Sequence, residues 1–240
     1  MVTWFGRGRE RSEGLWPRSR QRSASIRVDR VALQDLRPEP TEFLGQAAYL
    51  QLALFDAVSR AAASAPDLAG REALSSIAGL ILKKHHELVA ELRRKGADPS
   101  EVMQRYAADT ERYRRQVAGA DWYESILSAY LTAGLLDDFF AKLAAGLPDE
   151  DSVRVRNILA ADTGNEAIVA ALKAAIARNS RLGSRLALWG RRLVGDTLLM
   201  ARSAVPGVDI VQADDARIEP IFTELIAAHT RRMDGLGLTA

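Results

Sequence analysis

Cysteine is absent from the 240-residue chain, which excludes disulfides, thiolate nucleophiles, zinc fingers and cysteine-held iron–sulfur clusters. Excess charge is nearly absent too. Lys and Arg number 33 against 31 Asp and Glu, a net charge of +2, and that balance argues against a dedicated nucleic-acid binder. No apolar run reaches the roughly 18 residues of a membrane span, and none near the start has the apolar core of a signal peptide. A cytoplasmic protein without membrane contact is therefore expected. No segment alternates apolar and polar residues with period two for the length of a strand. The glycine patterns "GRG" and "GLGL" follow no strand, so neither is a phosphate loop, and no G-x-S-x-G or Ser-His-Asp arrangement is present.

What is there is a chain that is 48% hydrophobic and 27% charged, ordinary for a globular protein and long enough for one well-buried helical domain. Residues 1–40 stand apart. The stretch "WFGRGRERSEGLWPRSRQRSASIR" carries seven Arg and two Glu with no helical or strand period, the composition of a disordered basic tail. Its functional reading is an electrostatic arm for RNA or another anionic partner. Its plainer reading is a solvated extension or the product of an upstream start codon.

From residue 41 to 240 the chain punctuates itself into helices. Thr41 is expected to cap a helix over residues 41–65, and a second over 70–95 stops at Gly96. "DPSE" supplies Asp98 as N-cap, Pro99 at the first helical position and Glu101 for a capping box. Asp121 and Glu124 of "DWYE" open a long helix to about residue 145. A fourth long helix is expected over 150–178, a fifth ends before Pro206–Gly207, and the last covers 219–234. The expected fold is all-α, an antiparallel four-helix bundle with additional helices.

Apolar spacing of three and four identifies the inward faces. Ala47, Leu54 and Val58 flank Gln51. Ile77, Ile81, Leu88 and Leu92 flank His85. Trp122, Ile126, Ala129, Ala133, Leu136 and Phe140 place Asp137 at the border of their stripe. In "NILAADTGNEAIVAAL", Asp162 and Asn165 interrupt a stripe of Val155, Ile158, Leu159, Val169 and Leu172. An unpaired buried polar group costs roughly 1–3 kcal/mol, so these side chains are expected to meet at the bundle centre. His85, a core residue, takes Asp162 or Gln51 as its expected partner. His86, Lys83 and Lys84 read as a solvated basic patch, and His229 as packing or capping.

The segments "SRLALWGRRLVGDTLLMAR", "AAHTRRMDGLGL", "DWYESILSAYLTAGLLDDFF" and "ILAADTGNEAIVAAL" resemble actinobacterial ferritin-like proteins. These are grouped with the MiaE-like hydroxylases of methylthio-isopentenyl-adenosine in tRNA. The resemblance covers roughly residues 41–238. It implies a ferritin-like fold and, in metal-binding members, a Glu on the first helix, Glu-x-x-His on the second, a carboxylate on the third and an acidic residue with a His on the fourth. Here Gln51 takes the first place, and Leu82 and Lys83 precede His85 and His86 by three. Ala133 takes the third, with Asp137 one turn on, and Asp162–Asn165 the fourth. Gln51, His85, Asp137, Asp162 and Asn165 thus mark a dismantled di-iron site.

Two functions follow from the resemblance. One is a ferritin-like scaffold without a cofactor, acting as a binding or interaction module, a homodimer being in keeping with such bundles. The other is a non-haem iron monooxygenase acting on a modified tRNA nucleoside, its iron held by His85 and Asp162 with Asp137 as third ligand.

Overall fold

The computed structural model describes residues 38–203 and 215–239. The basic tail up to residue 37 and the Pro206–Gly207 segment lie outside them. The described residues form eight α-helices, α1 (Pro40–Ala63), α2 (Leu68–Arg94), α3 (Pro99–Gln116), α4 (Trp122–Leu143), α5 (Asp149–Ala160), α6 (Glu166–Arg178), α7 (Ser180–Ser203) and α8 (Asp215–Gly235), with one 3₁₀ turn at Ala144–Gly146. Among the described residues there is no strand. No helix there is long and apolar enough to cross a membrane.

Local chemistry sets most of the boundaries. Glu39, rather than Thr41, caps α1, accepting from the Glu42 amide at 2.7 Å, with Pro40 in the first turn. Asp98 accepts from the Ser100 amide at 2.8 Å, and Pro99 begins α3 where a missing amide costs nothing. Asp121 accepts from the Glu124 amide, and the Glu124 carboxylate reaches back to the Ala120 amide, both at 2.9 Å. Gly96 ends the α2 region with a φ of 73°, a left-handed conformation that costs a side-chain-bearing residue about 1–2 kcal/mol.

The inward stripes pack as one core. Leu44, Ala47 and Leu54 of α1, Ile77, Ile81 and Leu88 of α2, Ile126 and Phe139 of α4, Val155 of α5 and Leu172 of α6 are all buried. The tightest pair is α1 with α2. Helix α3 lies against α1, and α7 and α8 lie against α4. Trp122 donates to the Ala61 carbonyl and Trp189 to the Ser128 hydroxyl, at 2.9 and 2.8 Å, so both indoles anchor one helix on another.

The fourth long helix is not continuous, and this corrects the expectation over 150–178. It breaks into α5 and α6 around "ADTGN". Asp162 turns its carboxylate onto the Gly164 amide at 2.9 Å, and Gly164 adopts a φ of 69°. Asp, Thr and Asn all offer the backbone such local bonds in competition with a helix, and a glycine inside one costs about 1 kcal/mol. The break frees carbonyls in the last turn of α5, Leu159 among them.

Candidate functional site at the bundle centre

Helix α2 presents Lys84 three residues after Ile81 and four before Leu88, on its buried face. The side chain is only 3% exposed. Its ammonium donates to Asp137 Oδ2 at 3.0 Å and to the Leu159 carbonyl at 2.7 Å. Gln51 of α1 completes the group, its Nε2 donating to Asp137 Oδ1 at 2.8 Å. Side chains of α1, α2 and α4 therefore meet at one carboxylate, and the Lys84 ammonium ties the group to the end of α5. Burial pushes the Asp137 carboxyl above its ordinary range, and Asp138 adds to this, while the Lys84 ammonium and the Gln51 amide pull it back. Asp138 itself faces the other way, to Arg232 of α8 at 2.8 Å.

Of the five positions that mark the expected site, the structure brings Gln51 and Asp137 into contact. Asn165 and Ala133 line the same small void, whose volume of about 10 Å³ is room for about one water. His85 is elsewhere. Its Nδ1 donates to the Ala48 carbonyl at 2.9 Å, so the expected partnership with Asp162 or Gln51 does not form. Asp162 is exposed in the α5–α6 turn and spends an oxygen on Gly164. His86 is exposed as expected, whereas Lys84 is not part of a solvated patch. His229 is buried and donates from Nε2 to the Gly190 carbonyl of α7 at 3.1 Å, a packing role.

A pair of iron ions does not fit this arrangement. Two metals stand about 3.5–4 Å apart and need several anionic oxygens with imidazole nitrogens. Here an ammonium and an amide donor already face the one central carboxylate, and a protonated amine cannot coordinate. His85 bonds through Nδ1 to the Ala48 carbonyl and is not among the residues that line the small void with Gln51 and Asp137. Among the described residues no three His, Asp or Glu are grouped as ligands. The charge the carboxylate needs comes from Lys84.

The comparison that decides the family is with known protein-domain models. The model for the ferritin-like domain of actinomycetes matches residues 37–218, more than two-thirds of the chain. The chain belongs to this family. Its ferritin-like domain thus runs from just before α1 into α8. A comparison with curated proteins found no match.

The two buried histidines, His85 in the ferritin-like domain and His229 beyond its matched residues, are held below their ordinary pKa of 6.5, chiefly by desolvation and only partly offset by their carbonyl partners. The folded state therefore keeps them neutral where the unfolded chain takes up protons. Their stabilisation is complete above pH 6.5 and is lost as pH falls through the folded values, at up to about 1.4 kcal/mol per pH unit for each group. Asp137 acts in the opposite sense, being favoured by protonation, so single-histidine variants isolate the effect. Urea midpoints at pH 7.5 and 5.5 should differ less in His85→Asn, whose amide reaches the place of Nδ1, than in the unmodified chain.

Proposed function

We propose that this chain is a MiaE-like member of the ferritin-like fold that has exchanged di-iron chemistry for a buried ion pair, and that it serves as a binding or interaction module. The observation that carries the reading is the Lys84 ammonium seated on Asp137 and the Leu159 carbonyl. A lysine there supplies fixed positive charge without redox chemistry or an open coordination position, so no oxygen activation is assigned to the centre. The oxygenase reading needs His85, Asp162 and Asp137 to share an iron, and the exposed Asp162 turn supports the other reading instead.

The test is anaerobic addition of Fe(II) during thermal unfolding. A ligand that binds only the folded state at one hundred times its Kd adds about 2.7 kcal/mol, which shifts the melting temperature by several degrees. Millimolar Fe(II) is expected to leave the transition within about one degree. A saturable upward shift at two equivalents would contradict the proposal.

A further inference from the structure

A second cavity lies away from the ion pair, between α1, the end of α3 and the start of α4, with a volume of about 260 Å³. None of Gln51, Lys84 or Asp137 lines it. We infer that this cavity binds a small carboxylic acid with an apolar body of about eight carbons. This deepens the binding-module reading by giving it a ligand class, yet it stands on different residues.

The walls are apolar, with Leu50 and Leu54 of α1 and Ala129 of α4 among them. The polar lining is more telling, because its hydroxyl protons can be accounted for one at a time. Ser64 donates to the Arg60 carbonyl, Ser125 to the Asp121 carbonyl and Thr132 to the Ser128 carbonyl. Thr197 gives its proton to the Leu193 carbonyl, so Tyr113 must donate its own to Thr197 at 2.9 Å. Two hydroxyls are left. Thr110 is 1% exposed and its Oγ1 has no partner among the described residues. Ser128 accepts from the Trp189 indole, and no acceptor for its own proton stands among the described residues. A buried hydroxyl without a partner costs about 1–3 kcal/mol, and an acceptor atom on a ligand would remove that cost.

Charge selects among acceptors. Arg60 and Arg114 line the cavity from α1 and α3. Arg114 stands one helical turn from Thr110 on the same face and is braced by Glu111 at 2.7 Å. Arg60 makes a loose, half-exposed ion pair with Asp56 at 3.8 Å, too long for a hydrogen bond, so its N–H donors are not spent there. Its guanidinium is thus available to a carboxylate, which it can grip with two parallel bonds. An engineered cavity of roughly 150 Å³ holds the six carbons of benzene, so this volume suits about ten non-hydrogen atoms. Octanoate has that size and chemistry.

The experiment is titration of the full chain with octanoate and with 1-octanol, followed by tryptophan fluorescence and calorimetry. The Trp122 and Trp189 indoles both bond to residues of the lining. Octanoate is expected to bind with one-to-one stoichiometry and at least about ten-fold more tightly than octanol, the worth of one charge-assisted contact. Arg60→Gln should erase that difference while leaving octanol within about two-fold, since it removes only the charge. Ala57→Phe should abolish binding of both by filling the space. Thr110→Val is close in shape and removes the orphan hydroxyl, so it should fold at least as well as the parent while weakening octanoate several-fold. Absence of octanoate binding at millimolar concentration would overturn the inference. So would binding that Ala57→Phe and Thr110→Val, both shown folded by circular dichroism, leave unchanged. Equal affinity for octanol and octanoate would overturn the carboxylate assignment. Because the cavity shares no residue with the Lys84 group, any of these outcomes is distinct from an iron-dependent shift in melting temperature.

Discussion

Asp137→Ala is expected to lower the unfolding free energy by about 3–5 kcal/mol, as removal of one partner from a buried ion pair does. The reason lies in Lys84, whose side chain is 3% exposed. Without Asp137 its ammonium keeps only the Leu159 carbonyl, and the charge must be shed or remain unpaired. Gln51 loses its acceptor in the same step. Replacing both charges by apolar groups of similar size, with Lys84→Met and Asp137→Leu together, should recover most of the loss, because the desolvation of both ions then disappears from the folded state. Urea unfolding of the two variants beside the parent measures this. A single substitution costing under about 1 kcal/mol would mean that the pair is solvated.

The second large effect concerns the sign of the charge at the centre. Gln51→Glu combined with Lys84→Met would surround the site with two carboxylates and no cation, in place of a carboxylate held between an amide at 2.8 Å and an ammonium at 3.0 Å. Two carboxyls so close cannot both ionise, and one pKa rises steeply. The variant should be at least about 3 kcal/mol less stable than the parent at pH 7. It should regain stability as pH falls, since the folded state then binds a proton that the unfolded chain gives up. A divalent cation at millimolar concentration should recover part of the loss by binding only the folded form. Thermal unfolding at pH 5 and 7.5, with and without Mn(II), measures all three. Insensitivity to both pH and cation would show that the two positions do not share one electrostatic site.

Much of this fold is legible in the sequence because its boundaries are set by neighbours. Asp98 before Pro99, and Asp121 with Glu124, are capping devices spanning four or five residues, and each caps a helix as its spacing predicts. The break between α5 and α6 is less legible. The apolar stripe of Val155, Leu159, Val169 and Leu172 continues across it, so periodicity alone reads through. The signal against a helix was the cluster Asp162, Thr163, Gly164 and Asn165, four residues that each weaken one. The centre was half legible. Gln51 and Asp137 stand out as polar residues on or beside apolar stripes, and they do meet. Lys84 was hidden by its type, since lysines are rarely buried. Its spacing of three from Ile81 and four to Leu88 placed it on the inward face all the same. Its partners, Asp137 and a backbone carbonyl freed by a distant helix break, are 53 and 75 residues away, a relation that no local pattern encodes. The hydroxyl lining of the second cavity was illegible for the same reason, because only the packed structure shows which protons are already used.

The measurement closest to the lysine-for-metal replacement is the iron content of the full chain, purified without a metal-chelating tag and dialysed against metal-free buffer. Less than about one-tenth of an iron per chain is expected, because the central carboxylate is already neutralised by a fixed cation and the remaining donors are too few to hold a metal against water. Close to two iron ions per chain would contradict it.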